Sequence, residues 1–139
     1  METPKAGTIN YPFCSVSLLT MKKKILVVEN DRDIREIISH VLDDEGYEAI
    51  LCLAESAVID IIRLSMPDAI LLDIIRPTEQ GTELCRALKE VETIRHIPVI
   101  VLSTHPKIAS VKEVCADEVI AKPFDIDTLL EVVKEQLAA

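Results

Sequence analysis

Lys24-Ile25-Leu26-Val27-Val28-Glu29-Asn30-Asp31 is the stretch that decides how this chain folds. Ile25 to Val28 is an unbroken apolar run, rich in β-branched residues and without polar alternation, which reads as a strand buried on both faces. Such strands belong to parallel sheets covered by helices on each side. The residues that follow agree. Ile34, Ile37, Ile38, Val41 and Leu42 recur at helical spacing, and Gly46 stops the run. Between strand and helix stand Glu29, Asn30 and Asp31; Asp31 or Asp33 suits the helix N-cap.

Working outward, the same alternation repeats. Glu48 to Leu53 is strand-like, and Val58, Ile61 and Ile62 mark a helix that ends before Pro67. Ala69 to Leu72 is a strand, followed by a helix marked by Leu84, Leu88 and Val91. Pro98 to Leu102 is a strand, and Ile108, Val111 and Val114 predict a short fourth helix. Val119 to Ala121 is a brief strand, and Ile126, Leu129, Leu130, Val133 and Leu137 form a closing amphipathic helix with Asp125 as its N-cap. A strand–helix unit repeated five times predicts an α/β fold: an open, doubly wound parallel sheet joined by right-handed crossovers.

Composition supports this reading. With 49% apolar residues, no Trp, and only 2 Phe and 2 Tyr in 139 residues, the core must be aliphatic. The length suits one domain. Acids outnumber Lys and Arg by 24 to 15, a net charge of −9, which argues against direct binding to a nucleic-acid backbone. No apolar run approaches the ~20 residues of a membrane span. Residues 1–20, with Pro4, Gly7, Asn10 and Pro12, read as an irregular N-terminal extension without the features of a signal peptide, and the folded domain is expected over 21–139. Cys14, Cys52, Cys85 and Cys115 show no C-x-x-C spacing and read as free thiols in a reducing compartment rather than a disulfide framework. His40, His96 and His105 have no zinc-ligand spacing with them.

In doubly wound folds, ligands sit beyond the carboxyl ends of the strands. Four of the five strand ends carry compatible chemistry: Glu29, Asn30 and Asp31; Asp73; Ser103 and Thr104; and Lys122, followed by Pro123. Taken singly, each has an ordinary role as helix cap, loop hydroxyl or surface lysine. Together they describe acids that need a cation between them, and Mg²⁺ is the fitting one, being hard and oxygen-bound.

These motifs, V-V-E-N-D at 27–31, I-L-L-D at 70–73, R-P-T-E-Q-G at 76–81, V-L-S-T at 101–104 and K-P-F at 122–124, resemble the response-regulator receiver domain over residues 22–137. The resemblance implies the flavodoxin-like (βα)5 fold with strand order 2-1-3-4-5, an order that general knowledge of chemotaxis receivers supplies. It implies Asp73 as phospho-acceptor from a sensor histidine kinase or phosphotransfer protein. It implies Mg²⁺ held by Glu29, Asn30, Asp73 and the Ile75 carbonyl, Ser103 and Lys122 as partners of the phosphoryl group, Ser103 and Val119 as switch positions, and a cis bond before Pro123. Three departures stand out: Asn30 replaces a carboxylate, Val119 replaces an aromatic residue, and the stretch from Ser103 to Lys122 is short, with Cys115 at a common glycine position.

The expectation is a cytoplasmic, bacterial, single-domain response regulator. It would catalyse only its own phosphorylation and dephosphorylation, with no DNA-binding domain after Ala139 and with output through a protein partner. The rival is a pseudo-receiver, an interaction scaffold without working phosphorylation. A hydrolase using Asp73 as nucleophile is weaker, because Ile75 stands where aspartate-nucleophile phosphatases have a second Asp.

Overall fold

A computed structural model describes residues 22–139. The expected irregular extension, residues 1–20, lies outside the described residues. The elements run β1 (Lys24–Val28), α1 (Arg32–Asp44), β2 (Glu48–Cys52), a 3₁₀ turn (Glu55–Ala57), α2 (Val58–Ser65), β3 (Ala69–Asp73), α3 (Glu83–Glu90), β4 (Val99–Ser103), a 3₁₀ segment (Ile108–Glu113), β5 (Glu118–Ala121) and α4 (Ile126–Ala138). The sheet has five parallel strands in the order β2-β1-β3-β4-β5. This is the expected doubly wound topology, and it sets β1 and β3 side by side at the centre.

The strand side chains alternate between two cores. Leu26, Val28, Ile70, Leu72, Val99 and Val101 face Val58 and Ile62 of α2, Cys85 and Leu88 of α3, and Ile108 and Val111 of the 3₁₀ segment. Ile25, Val27, Ala69, Leu71, Ile100 and Leu102 face Ile38 and Leu42 of α1 and Leu129 and Val133 of α4. Burial on both faces explains the unbroken apolar runs of β1 and β4, which no half-exposed strand would carry.

Helix boundaries follow local chemistry. Asp31 caps α1, its carboxylate accepting from the Ile34 N–H at 3.1 Å. Gly46, at φ +89°, takes the left-handed conformation that turns the chain into β2. Met66, at φ +49°, ends α2 before Pro67.

Two expectations need correction and one is met in part. The fourth helix is a 3₁₀ segment, not an α-helix, and Val114 is exposed rather than part of its buried stripe. A buried row at every third residue fits a three-residue turn as well as an α-helical one. Asp125 occupies the N-cap position of α4, but its side chain makes no capping hydrogen bond. Cys85 and Cys115 are not free thiols. They form a disulfide across 30 residues, with Cα atoms 5.8 Å apart, within the usual span of such a bond. Cys52 is a buried free thiol.

Candidate functional site

The central strands deliver their carboxyl ends to one point. Lys122, at the end of β5, places Nζ 2.9 Å from Asp73 Oδ1 and 2.8 Å from Glu29 Oε1. The approach to Asp73 makes a hydrogen bond. The approach to Glu29 is misaligned for one, so Glu29 Oε1 is a buried oxygen with charge attraction but no hydrogen bond. Its other oxygen, Oε2, accepts from the Asp31 N–H at 3.1 Å. Glu29 is 2% exposed, an unusual place for a carboxylate.

The electrostatics follow from this crowding. Burial is the strongest influence on Glu29 and raises its pKa above the ordinary 4.5; Lys122 and the Asp31 N–H oppose the rise without cancelling it, and negative Asp73 adds to it. For Lys122, burial is again the largest single influence and pulls downward. The carboxylates of Glu29 and Asp73 on either side together overcome it, so its pKa lies above 10.5. Two carboxylates and one ammonium leave the cluster one negative charge in excess.

The surrounding loops hold this arrangement. Arg35 Nη1 donates to the Glu29 carbonyl at 3.0 Å and approaches the Asn30 carbonyl at 3.5 Å, bracing the β1–α1 loop from outside. Sequence reasoning missed Arg35, whose one signal is its position on the first turn of α1. The Lys122 backbone N–H donates to the Ser103 carbonyl at 2.8 Å, tying the ends of β4 and β5, and the Lys122–Pro123 bond is cis. The β3–α3 loop closes on itself. Thr78 Oγ1 accepts from the Gly81 N–H at 3.0 Å, the Thr82 hydroxyl donates to the Thr78 carbonyl at 2.9 Å, and a Cβ at Gly81 would collide with the Arg76 carbonyl oxygen. Between this loop and the acceptor strand lies a cavity of about 270 Å³ lined by Asp73, Glu55, Gln80 and Glu83, among others.

The structure thus brings Glu29, Asp73 and Lys122 into contact. Ser103 is buried nearby at the end of β4, but its hydroxyl oxygen accepts from the His105 N–H at 3.1 Å rather than meeting Asp73. Asn30 and Ile75 lie exposed at the rim, and Ile75 is 66% exposed. Asp31 is occupied as a helix cap. Val119, on the edge strand β5, is half-buried against the core on the face that α2, α3 and the 3₁₀ segment cover.

Among the described residues no group of three His, Cys, Asp or Glu side chains is placed to hold a metal. The carboxylates that Lys122 brings together are those of Glu29 and Asp73. They are oxygen donors, and the cluster has a net negative charge and an unsatisfied buried oxygen at Glu29. Those features fit a hard divalent cation that keeps several waters.

The family model described as response regulator receiver domain matches residues 25–134, and the chain belongs to that family. It is 32% identical over 120 residues to sporulation initiation phosphotransferase F of Bacillus subtilis, covering 84% of this chain and 95% of that protein. It spans 50% of the transcriptional regulatory protein YxdJ of the same organism, at 32% identity over 119 residues and 82% of this chain. Among solved structures, a chemotaxis protein of Vibrio cholerae superposes with a TM-score of 0.73 at 27% identity, covering 84% of this chain and 99% of that one. The receiver domain of a sensor histidine kinase from Pseudomonas aeruginosa PAO1, which holds a magnesium ion in its active-site cleft, superposes with a TM-score of 0.74 at 22% identity over 86% of this chain and all of that one; at that identity the likeness concerns fold.

Proposed function

We propose that this receiver domain takes a phosphoryl group onto Asp73 from the phosphohistidine of a sensor kinase or phosphotransfer protein and passes the signal to a downstream protein. The observation that carries the reading is Lys122, buried between Asp73 and Glu29 at the carboxyl end of the central strands. Lys122 holds Asp73 Oδ1, which leaves Oδ2 as the oxygen free to attack phosphorus. The new O–P bond forms as the P–N bond to the donor imidazole breaks, and the imidazole leaves with that electron pair. Lys122 then balances the charge of the aspartyl phosphate. Ser103, two residues before His105 on the adjoining loop, is the hydroxyl that would turn toward the phosphoryl oxygens, with Val119, the strand partner of Val101, as the second switch position. Mg²⁺, held by Glu29, Asn30, Asp73 and the Ile75 carbonyl, would neutralise charge on the transferring group.

The domain catalyses its own phosphorylation and dephosphorylation and acts on no metabolite. We place it in the cytoplasm, this domain signalling through a protein partner rather than by direct DNA contact, which the −9 charge disfavours. Among the described residues no helix is long and apolar enough to cross a membrane.

The test is treatment with acetyl phosphate and Mg²⁺, followed by intact mass measurement. One phosphoryl group is expected on the wild type and none on Asp73→Asn. The exposed Asn30, in place of a carboxylate, favours a second reading as a phosphorylation-incompetent scaffold, and an unmodified wild type under conditions that label another receiver would establish it.

A further inference from the structure

Cys85 and Cys115 sit at positions with a mechanical relation to the acceptor site. Cys85 is fully buried on α3, whose neighbouring residues Glu83, Leu84 and Ala87 line the cavity beside Asp73. Cys115 follows the 3₁₀ segment that leads away from Ser103, and it is 6% exposed. The 30-residue ring that the bond closes contains β4 and Ser103. The tie therefore joins the two segments that flank the acceptor.

The segment it holds is a 3₁₀ run, Ile108–Glu113, rather than an α-helix. Its turns are held by Ile108 N–H to the His105 carbonyl at 3.2 Å, Ser110 N–H to Lys107 at 3.3 Å and Val114 N–H to Val111 at 3.1 Å, and it ends on shorter bonds of 2.9 Å from the Cys115 and Ala116 N–H groups to the Val111 carbonyl. Geometry of the 3₁₀ kind is weak support, and runs beyond 3–4 residues are uncommon. Buried Ile108 and Val111, the ion pair of Lys112 with Glu118 at 3.0 Å and the Cys115 bond supply the anchoring. This is the kind of low-stability element on which a two-state switch is built.

We propose that Cys85 and Cys115 form a reversible dithiol–disulfide site whose oxidised state restrains the segment after Ser103, so that redox state sets how far phosphorylation moves residues 104–117. The inference rests on the phosphorylation reading above and on a cytoplasmic setting, where disulfides are mostly transient and redox-sensing. The co-reactant is a low-molecular-weight thiol or a protein dithiol. Its thiolate attacks Cys115 Sγ, the less buried sulfur, and the Cys85–Cys115 bond breaks with Cys85 leaving as thiolate and taking a proton. A second thiol resolves the mixed disulfide. Two electrons and two protons pass to the protein as the co-reactant becomes a disulfide. Oxidation is the same exchange in reverse, with that disulfide as oxidant.

The experiment uses the full chain, unmutated, prepared with dithiothreitol or with oxidised glutathione. Alkylation in denaturant followed by intact mass counts the thiols, and the reduced protein is expected to take two labels more than the oxidised one. Amide hydrogen exchange is then followed over residues 104–117, before and after acetyl phosphate and Mg²⁺. Phosphorylation is expected to change exchange there at least about tenfold more in the reduced form than in the oxidised form. Cys115→Ala, treated with oxidised glutathione, should behave as the reduced wild type. Equal labelling in the two preparations, or an equal phosphorylation-dependent change in both, overturns the proposal. If neither form accepts a phosphoryl group, the phosphorylation reading fails and the coupling falls with it, a result distinguished by the intact mass.

Discussion

Replacing Asn30 by Asp should strengthen Mg²⁺ binding while weakening the metal-free fold. The three charged side chains in contact, Glu29, Asp73 and Lys122, sum to one negative charge. Asp31 cannot add another, because its carboxylate caps α1 through the Ile34 N–H at 3.1 Å. Asn30 is exposed, so a water-like dielectric applies to a charge placed there. A carboxylate roughly 4 Å from a divalent ion gains about 2 kcal/mol at that dielectric, or roughly thirtyfold in Kd. Without metal, the same charge about 4 Å from the excess negative charge costs about 1 kcal/mol. Titration with Mg²⁺ or Mn²⁺ by calorimetry, beside thermal unfolding without metal, reads both signs. Asp31→Ala is the control: losing the cap should cost about 1 kcal/mol of stability and leave metal affinity unchanged. Equal affinity in wild type and Asn30→Asp would show that this side chain does not touch the ion, and the assignment of the loop would be wrong by one residue.

Glu29→Gln should raise stability at pH 7 in the absence of metal. A carboxyl whose folded pKa is raised contributes stability below its unfolded value near 4.5 and loses it as pH rises through the folded pKa, so the charged form is the costly one. The variant's gain should vanish below pH 4.5, and a lower Tm than wild type at pH 7 would contradict the argument. Ile75→Asn should shorten the lifetime of the phosphorylated state, since a polar group two residues after Asp73 can orient water where Ile75 excludes it; an unchanged or longer lifetime in a phosphate-release assay refutes this. Reducing the Cys85–Cys115 bond opens a 30-residue loop and should cost about 3–4 kcal/mol, lowering the urea midpoint by roughly 2 M. Asp117→Ala removes one oxygen that accepts from both Lys89 Nζ at 2.6 Å and the Val99 N–H at 2.7 Å, and should cost about 1–3 kcal/mol by denaturant melts.

The sheet was legible because its strands are buried on both faces. Ile25–Val28 and Val99–Leu102 can be unbroken apolar runs only in that setting, and Gly46 and Pro67 mark the stops between elements. The contact of Glu29, Asp73 and Lys122 was also legible, since strand-end residues converge once the strand order is known; the order itself came from family resemblance. Two features were not legible for physical reasons. A buried cysteine in an apolar run looks the same paired or free, and Cys85 and Cys115 meet only through the packing of α3 on the segment before β5. Arg35 acts on backbone carbonyls, which leave no trace in side-chain spacing.

The loop from Arg76 to Gly81 is a closed ring without slack, because even one methyl group at Gly81 would strike the Arg76 carbonyl. Its path is therefore fixed by collision while its outward side chains, Arg76 and Glu79, are under no such limit. Change at those two positions can rewrite what the molecule presents to a neighbour and leave the acceptor carboxylate where it stands. A substitution that adds bulk at Gly81 does the reverse, moving the chemistry before it alters the display.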